Sequence, residues 1–164
     1  MKKFQILVIG NNDNGCTPEL EKLAYETGAE VAKSNSILIT GGLGGVMKAA
    51  SRGAKENNGL TVGIIPQNDM SEANEFCDVV IPSGMGLMRD FLNALSADGV
   101  IAIGGGSGTL SEICASYMYS KPIVVLKNSG GTSTKFANQY LDCLLYTSDA
   151  ADDTPCVDLG GRRI

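Results

Sequence analysis

The sequence contains no histidine and no tryptophan. Without imidazole, Ser-His-Asp and Cys-His catalysis, His-ligated metal sites and a His-based pH switch are excluded. Thirteen basic against eighteen acidic residues give a formal net charge of −5. With no run of Lys or Arg, neither a broad nucleic-acid footprint nor attraction to an anionic membrane is expected. The five cysteines, Cys16, Cys77, Cys114, Cys143 and Cys156, are odd in number and form no C-x-x-C pair. A disulfide framework or a thiolate metal site is therefore not expected; reduced thiols in a cytoplasmic protein are. No apolar run approaches the ~20 residues of a membrane-spanning helix. The opening MKKFQILVIG imitates a signal peptide, but its apolar stretch is short, contains Gln5 and enters NNDNG without a cleavage site. It reads as a buried strand.

Glycine is abundant: 21 of 164 residues, against a usual ~7%. The glycines cluster at 10–15, 41–45 and 104–108. Between the clusters, short β-branched runs alternate with helical periodicity. Strands are expected at Phe4–Ile9, Ile37–Thr40, Thr61–Ile65, Val79–Ile81, Val100–Ile103 and Ile123–Leu126. Helices are expected from Pro18, over about Val46–Glu56, over 88–95 with Met88, Phe91, Leu92 and Leu95 as the apolar face, and after GGGSGT. Continuous apolar strands alternating with amphipathic helices predict a single doubly wound, Rossmann-like α/β domain, its mainly parallel sheet of about six strands covered on both faces. Ligands of such sheets bind beyond the carboxyl ends of the strands, where the three glycine clusters fall.

From Cys143 the chain reads CLLYTSDAADDTPCVDLGGRRI, with neither helical nor alternating periodicity. It resembles the peptide translated through a sequencing-library adapter, so a domain over 1–142 and a non-native or disordered tail over 143–164 are expected. Removing the tail would leave a charge of −3, and the chain stays acidic.

Gly104-Gly105-Gly106-Ser107-Gly108-Thr109 stands between a strand and a helix. Glycines let a backbone approach a ligand closely, and the helix start offers free N–H groups and a positive dipole end. An anion cradle is the expected use. Dinucleotide and ATP fingerprints fit poorly: the first loop, GNNDNGCT, lacks G-x-G-x-x-G, and Cys16 stands where a P-loop needs lysine. Glu112 can close a capping box with Thr109, or act on a ligand. Arg89, near a helix start, opposes the dipole, which a bound anion would offset; a pair with Asp90 is the alternative. Both loops open on the same sheet edge, so Arg89 and Glu112 are expected to converge. Asp78 and Asp98 read as cap or turn residues, and Ser51, Arg52 and Lys55 as a solvated helix face.

ITGGLGGVMKAASRGA, TVGIIP, GMGLMRD and GGGSGTLSE together resemble the Lonely-guy (LOG)-like proteins of Rossmann type, over about Phe4 to Leu126. These include cytokinin-nucleotide phosphoribohydrolases, proteins formerly called lysine decarboxylases, and molybdenum-cofactor carriers. The enzymes carry P-G-G-x-G-T-x-x-E; here Gly104 replaces the Pro, and Asp90 follows Arg89 where a basic residue is usual. The resemblance implies Arg89 and Glu112 as catalytic residues. It implies Gly10, Gly41, Gly42, Gly45, Met47, Gly104, Gly105, Gly106, Ser107, Gly108 and Thr109 as the ligand- and phosphate-binding set. Two activities follow: hydrolysis of the N-glycosidic bond of a nucleoside 5′-monophosphate, or non-catalytic carriage of molybdenum cofactor or sensing of a nucleotide. No resident cofactor is required in either. A homodimer or homotetramer is implied, with Tyr117, Met118 and Tyr119 as candidates for the contact face.

Overall fold

The computed structural model describes residues 2–137 and the backbone of residues 140–141 and 144–145. The boundary expected at 142 and the tail expected over 143–164 lie outside the fully described residues.

Six strands, β1 (Gln5–Gly10), β2 (Ile37–Thr40), β3 (Leu60–Ile65), β4 (Val79–Pro82), β5 (Gly99–Ile103) and β6 (Ile123–Leu126), form one sheet in the order β4-β3-β2-β1-β5-β6. Every neighbouring pair is parallel. The helices are α1 (Pro18–Lys33), α2 (Val46–Glu56), α3 (Arg89–Ser96), α4 (Ser107–Met118) and the short α5 (Gly131–Phe136). The expected Rossmann-like α/β domain is therefore what the chain forms. Thr17 ends the first loop by accepting the Leu20 N–H at 3.3 Å, and Pro18 opens α1 where its missing N–H costs nothing.

Alternate side chains of β1 divide the core. Val8 packs with Ala24 and Val31 of α1 and Val46, Ala49 and Ala50 of α2, while Leu7 and Ile9 pack with Ile113 of α4, Val100 and Ile123. Helices α1 and α2 thus share one face of the sheet, and α4 lies on the other. The two helices on the first face meet backbone to backbone: a Cβ on Gly28 would overlap the Ala50 carbonyl, and one on Gly53 the Tyr25 carbonyl.

Among the described residues, coverage is less complete than expected. Beyond α1, the β5–β6 part of that first face holds an open apolar groove of about 880 Å³, where Phe4, Ile6, Leu23, Ile101, Val124 and Leu126 line the wall. The cause is topological, because α1 and α2 connect β1 to β2 and β2 to β3 and so lie over that half of the sheet.

The two acids read as turn residues do bind backbone. Asp98 accepts the Gln5 N–H at 2.9 Å, and Asp78 accepts the Thr61 N–H at 3.0 Å and its hydroxyl at 2.9 Å. The solvated face expected on α2 holds for Lys55 and in part for Arg52, and Ser51 is the correction. Ser51 is buried against Thr40, while Arg52 pairs with Glu21 over the Tyr25 ring and Lys55 pairs with Asp78.

Candidate functional site

The strand order reverses at β1, between β2 and β5, so the loops leaving β1, β2 and β5 gather at one carboxyl edge. The first of them acts as a clip. Asn11 Oδ1 accepts the Gly105 N–H at 2.5 Å, the Asn11 carbonyl accepts the Val46 N–H at 2.9 Å, and Asp13 Oδ1 accepts the Gly45 N–H at 2.7 Å. Ser129 Oγ accepts the Gly104 N–H at 2.7 Å and Thr40 Oγ1 accepts the Gly42 N–H at 3.1 Å.

These bonds divide the predicted glycines. Gly42, Gly45, Gly104 and Gly105 hold their N–H groups to protein partners, and all four have positive φ. They shape the loops. Gly10 is a packing position, since a Cβ there would overlap the Ile103 carbonyl and Val46. Gly106, Ser107 and Gly108 are exposed, and a Cβ on Gly106 would meet nothing within 4 Å. Helix α4 has no side-chain cap, and the bond from the Leu110 N–H to the Gly106 carbonyl, at 3.0 Å, closes its first turn. The N–H groups of Ser107, Gly108 and Thr109 precede that bond, which leaves them facing out at the positive end of the dipole.

The capping box expected between Thr109 and Glu112 does not form, because α4 starts at Ser107 and places Glu112 well inside the helix. Glu112 instead turns to α3. Its Oε1 accepts from Asn93 Nδ2 at 2.8 Å and lies 3.9 Å from Arg89 Nη1. The same guanidinium nitrogen is 3.9 Å from Asp90, whose other oxygen accepts from Ser111 at 2.6 Å. Arg89, Asp90 and Glu112 are 8%, 9% and 7% exposed. Across the site the Arg89 guanidinium and the Met47 sulfur close over Gly41, where a Cβ would strike both. The site thus brings together Gly41, Met47, Arg89, Glu112 and the start of α4.

Burial raises Glu112 to about 8, with Asp90 adding to the shift and the Asn93 bond and Arg89 opposing it. At neutral pH, before any ligand arrives, its carboxyl is mostly neutral. Two buried polar atoms, Arg89 Nε and Asn93 Oδ1, have no partner among the described residues. Each such atom costs free energy unless something else bonds it.

Helix α3 departs from its predicted orientation. Its buried residues are Arg89, Asp90, Asn93 and Ala94, and of the predicted apolar face Leu92 packs against the core, whereas Met88 and Leu95 are 62% and 54% exposed. Periodicity identifies the apolar stripe but not which way it faces. Here the polar stripe turns inward because Glu112, Ser111 and Arg89 supply it with partners. Asn93 was missed at the sequence level although it lies four residues after Arg89, on the same face. Asn11 and Asp13 were missed because their partners are 94 and 32 residues distant.

A family model, the SLOG cluster4 family, matches residues 3–152. The chain belongs to that family. A protein of Archaeoglobus fulgidus, described only as uncharacterized, is 41% identical over 127 residues, 77% of this chain and 82% of its own length. The molybdenum cofactor binding protein of Rippkaea orientalis has a similar solved structure, 41% identical, with a TM-score of 0.74 over 77% of each chain. The Moco carrier protein of Chlamydomonas reinhardtii is 33% identical, with a TM-score of 0.80 over 98% of this chain and 93% of its own. This SLOG protein therefore stands among relatives described as binders and carriers, which favours the carrier expectation over the hydrolytic one. No described helix is long and apolar enough to cross a membrane.

Proposed function

We propose that the protein binds a phosphorylated pterin, molybdenum cofactor in particular, and carries it without chemical turnover. The observation that carries this reading is the buried, unpartnered Nε of Arg89, whose guanidinium stands beside Glu112 of α4, a helix that opens with uncapped N–H groups. A phosphate monoester offers oxygens for the guanidinium fork and for the N–H groups of Ser107, Gly108 and Thr109. Asn93 Oδ1 awaits a donor, which an amino- and lactam-bearing ring supplies. Relatives described as a molybdenum cofactor binding protein and a Moco carrier protein support carriage over hydrolysis. Gly104 and Gly105 serve this site by setting the loop, not by touching the ligand.

Mass spectrometry of ligands released from protein purified under anoxic conditions tests the reading. The expected result is a phosphorylated pterin that Arg89→Ala fails to retain. Free base released from a panel of nucleoside 5′-monophosphates by wild type, and not by Glu112→Gln, would overturn it in favour of a phosphoribohydrolase.

We also propose self-association as a homodimer or homotetramer through the outward apolar stripe of α3. Leu87, at 88% exposed, precedes it, and Met118 and Tyr119 at the end of α4 are exposed too; Tyr117 packs partly into the core. Such a surface is unusual on a monomer. Sedimentation velocity should show a dimer or tetramer for wild type and a monomer for Leu87→Asp; a monomeric wild type would refute the association.

A further inference from the structure

Counting charges in the site raises a difficulty for any anion. One guanidinium, Arg89, stands equally far, 3.9 Å, from Asp90 and from Glu112. It cannot neutralise two buried carboxylates and a bound phosphate as well, and uncompensated charge at this depth is costly. Among the described residues Lys48 pairs with Glu75, while Lys127 and Lys135 are exposed rather than buried beside the two acids.

The charged groups facing Glu112 are thus Arg89 and Asp90, both from α3. The strands beneath α4 present Leu7, Ile9, Val100 and Ile123, which are apolar. From α5, Thr132 and Ser133 bond the carbonyls of Gly106 and Gly104 and not the carboxyl.

We propose that the site binds its anion only while Glu112 carries a proton, so that a molecule whose Glu112 is ionised takes up a proton with the anion. This rests on the anion-binding reading above. In the complex Glu112 keeps its Asn93 bond through Oε1 and carries the proton as a neutral acid, so Arg89 is left to serve Asp90 and the phosphate. No bond other than the O–H forms, and the acid form of the buffer supplies the proton. The free site's raised carboxyl agrees: below about pH 8 the proton is already in place, and above it each molecule must acquire one on binding.

Calorimetric titration of the full chain with AMP as probe tests this between pH 7 and 9.5, where the phosphate monoester stays dianionic. Affinity should fall about tenfold per pH unit above the Glu112 midpoint. At pH 9 the observed heat should differ between two buffers of unlike ionisation heat, corresponding to uptake approaching one proton. Glu112→Gln, which is neutral at every pH, should bind with a flat profile and no buffer dependence. Binding of AMP by wild type with equal heats in both buffers overturns the proton uptake and leaves the binding reading standing. Absence of AMP binding at every pH, by wild type and Glu112→Gln alike, sinks the inference and counts against the reading beneath it.

Discussion

Arg89→Ala should weaken binding of a phosphorylated ligand by roughly 10- to 150-fold, the ~1.5–3 kcal/mol of a hydrogen bond to a charged group. The guanidinium is buried, reaches over Gly41 and leaves Nε without a protein partner. Its loss also leaves Asp90 and Glu112 together without a cation. Because Glu112 can take a proton, the fold should survive the change, and melting curves should show a cooperative transition near neutral pH. Arg89→Lys separates charge from shape: it keeps a cation but not the planar fork. Its affinity should lie between wild type and Arg89→Ala. Calorimetry with AMP or a phosphorylated pterin checks the series, and equal affinity for wild type and Arg89→Ala would remove the guanidinium from the site.

The largest effect on stability is expected at Gly28. In an exposed helix interior, replacing glycine by alanine stabilises by ~0.5–1 kcal/mol. Here the sign should reverse. The added methyl would overlap the Ala50 carbonyl of α2, a backbone atom that cannot rotate aside. Separating the helices disturbs Ala24, Val31, Ala49 and Ala50, which are packed between them and β1. Gly28→Ala should therefore cost ~1–3 kcal/mol, the range for overpacking a filled core. At roughly 2–4 °C per kcal/mol, the melting temperature should drop by several degrees. Gly53→Ala, which would meet the Tyr25 carbonyl, should behave alike. An unchanged or raised melting temperature in either variant would mean that the α1–α2 contact has room for a methyl group.

Much of the fold was legible in the chain because the signals are local. Continuous apolar runs mark buried parallel strands, and Ile37–Thr40 and Val46–Glu56 have the bounds the pattern predicts. Pro18 and the glycine clusters punctuate the rest. The carboxyl-edge rule then placed Arg89 and Glu112 on one rim, and they do meet. Local signals fail where a residue's partner is remote. The T-L-S-E stretch resembled a capping box, yet starting the helix at Ser107 freed Glu112 for Asn93 and Arg89. Likewise, one cluster of glycines divides in two, because Asn11 and Ser129 claim the N–H groups of Gly105 and Gly104 and leave the later ones open.

The succession of strands and major helices along the chain and the residue types at the sheet edge follow from the sequence alone, since each is written in a few adjacent side chains; the order of strands in the sheet does not. The tertiary structure alone decided that α3 turns its polar stripe inward, that two acids share one arginine, and that the described helices leave part of the sheet uncovered. A stripe's amphipathicity is a property of one helix. Which side is buried depends on what the neighbouring helix offers, and α4 offers Glu112 and Ser111.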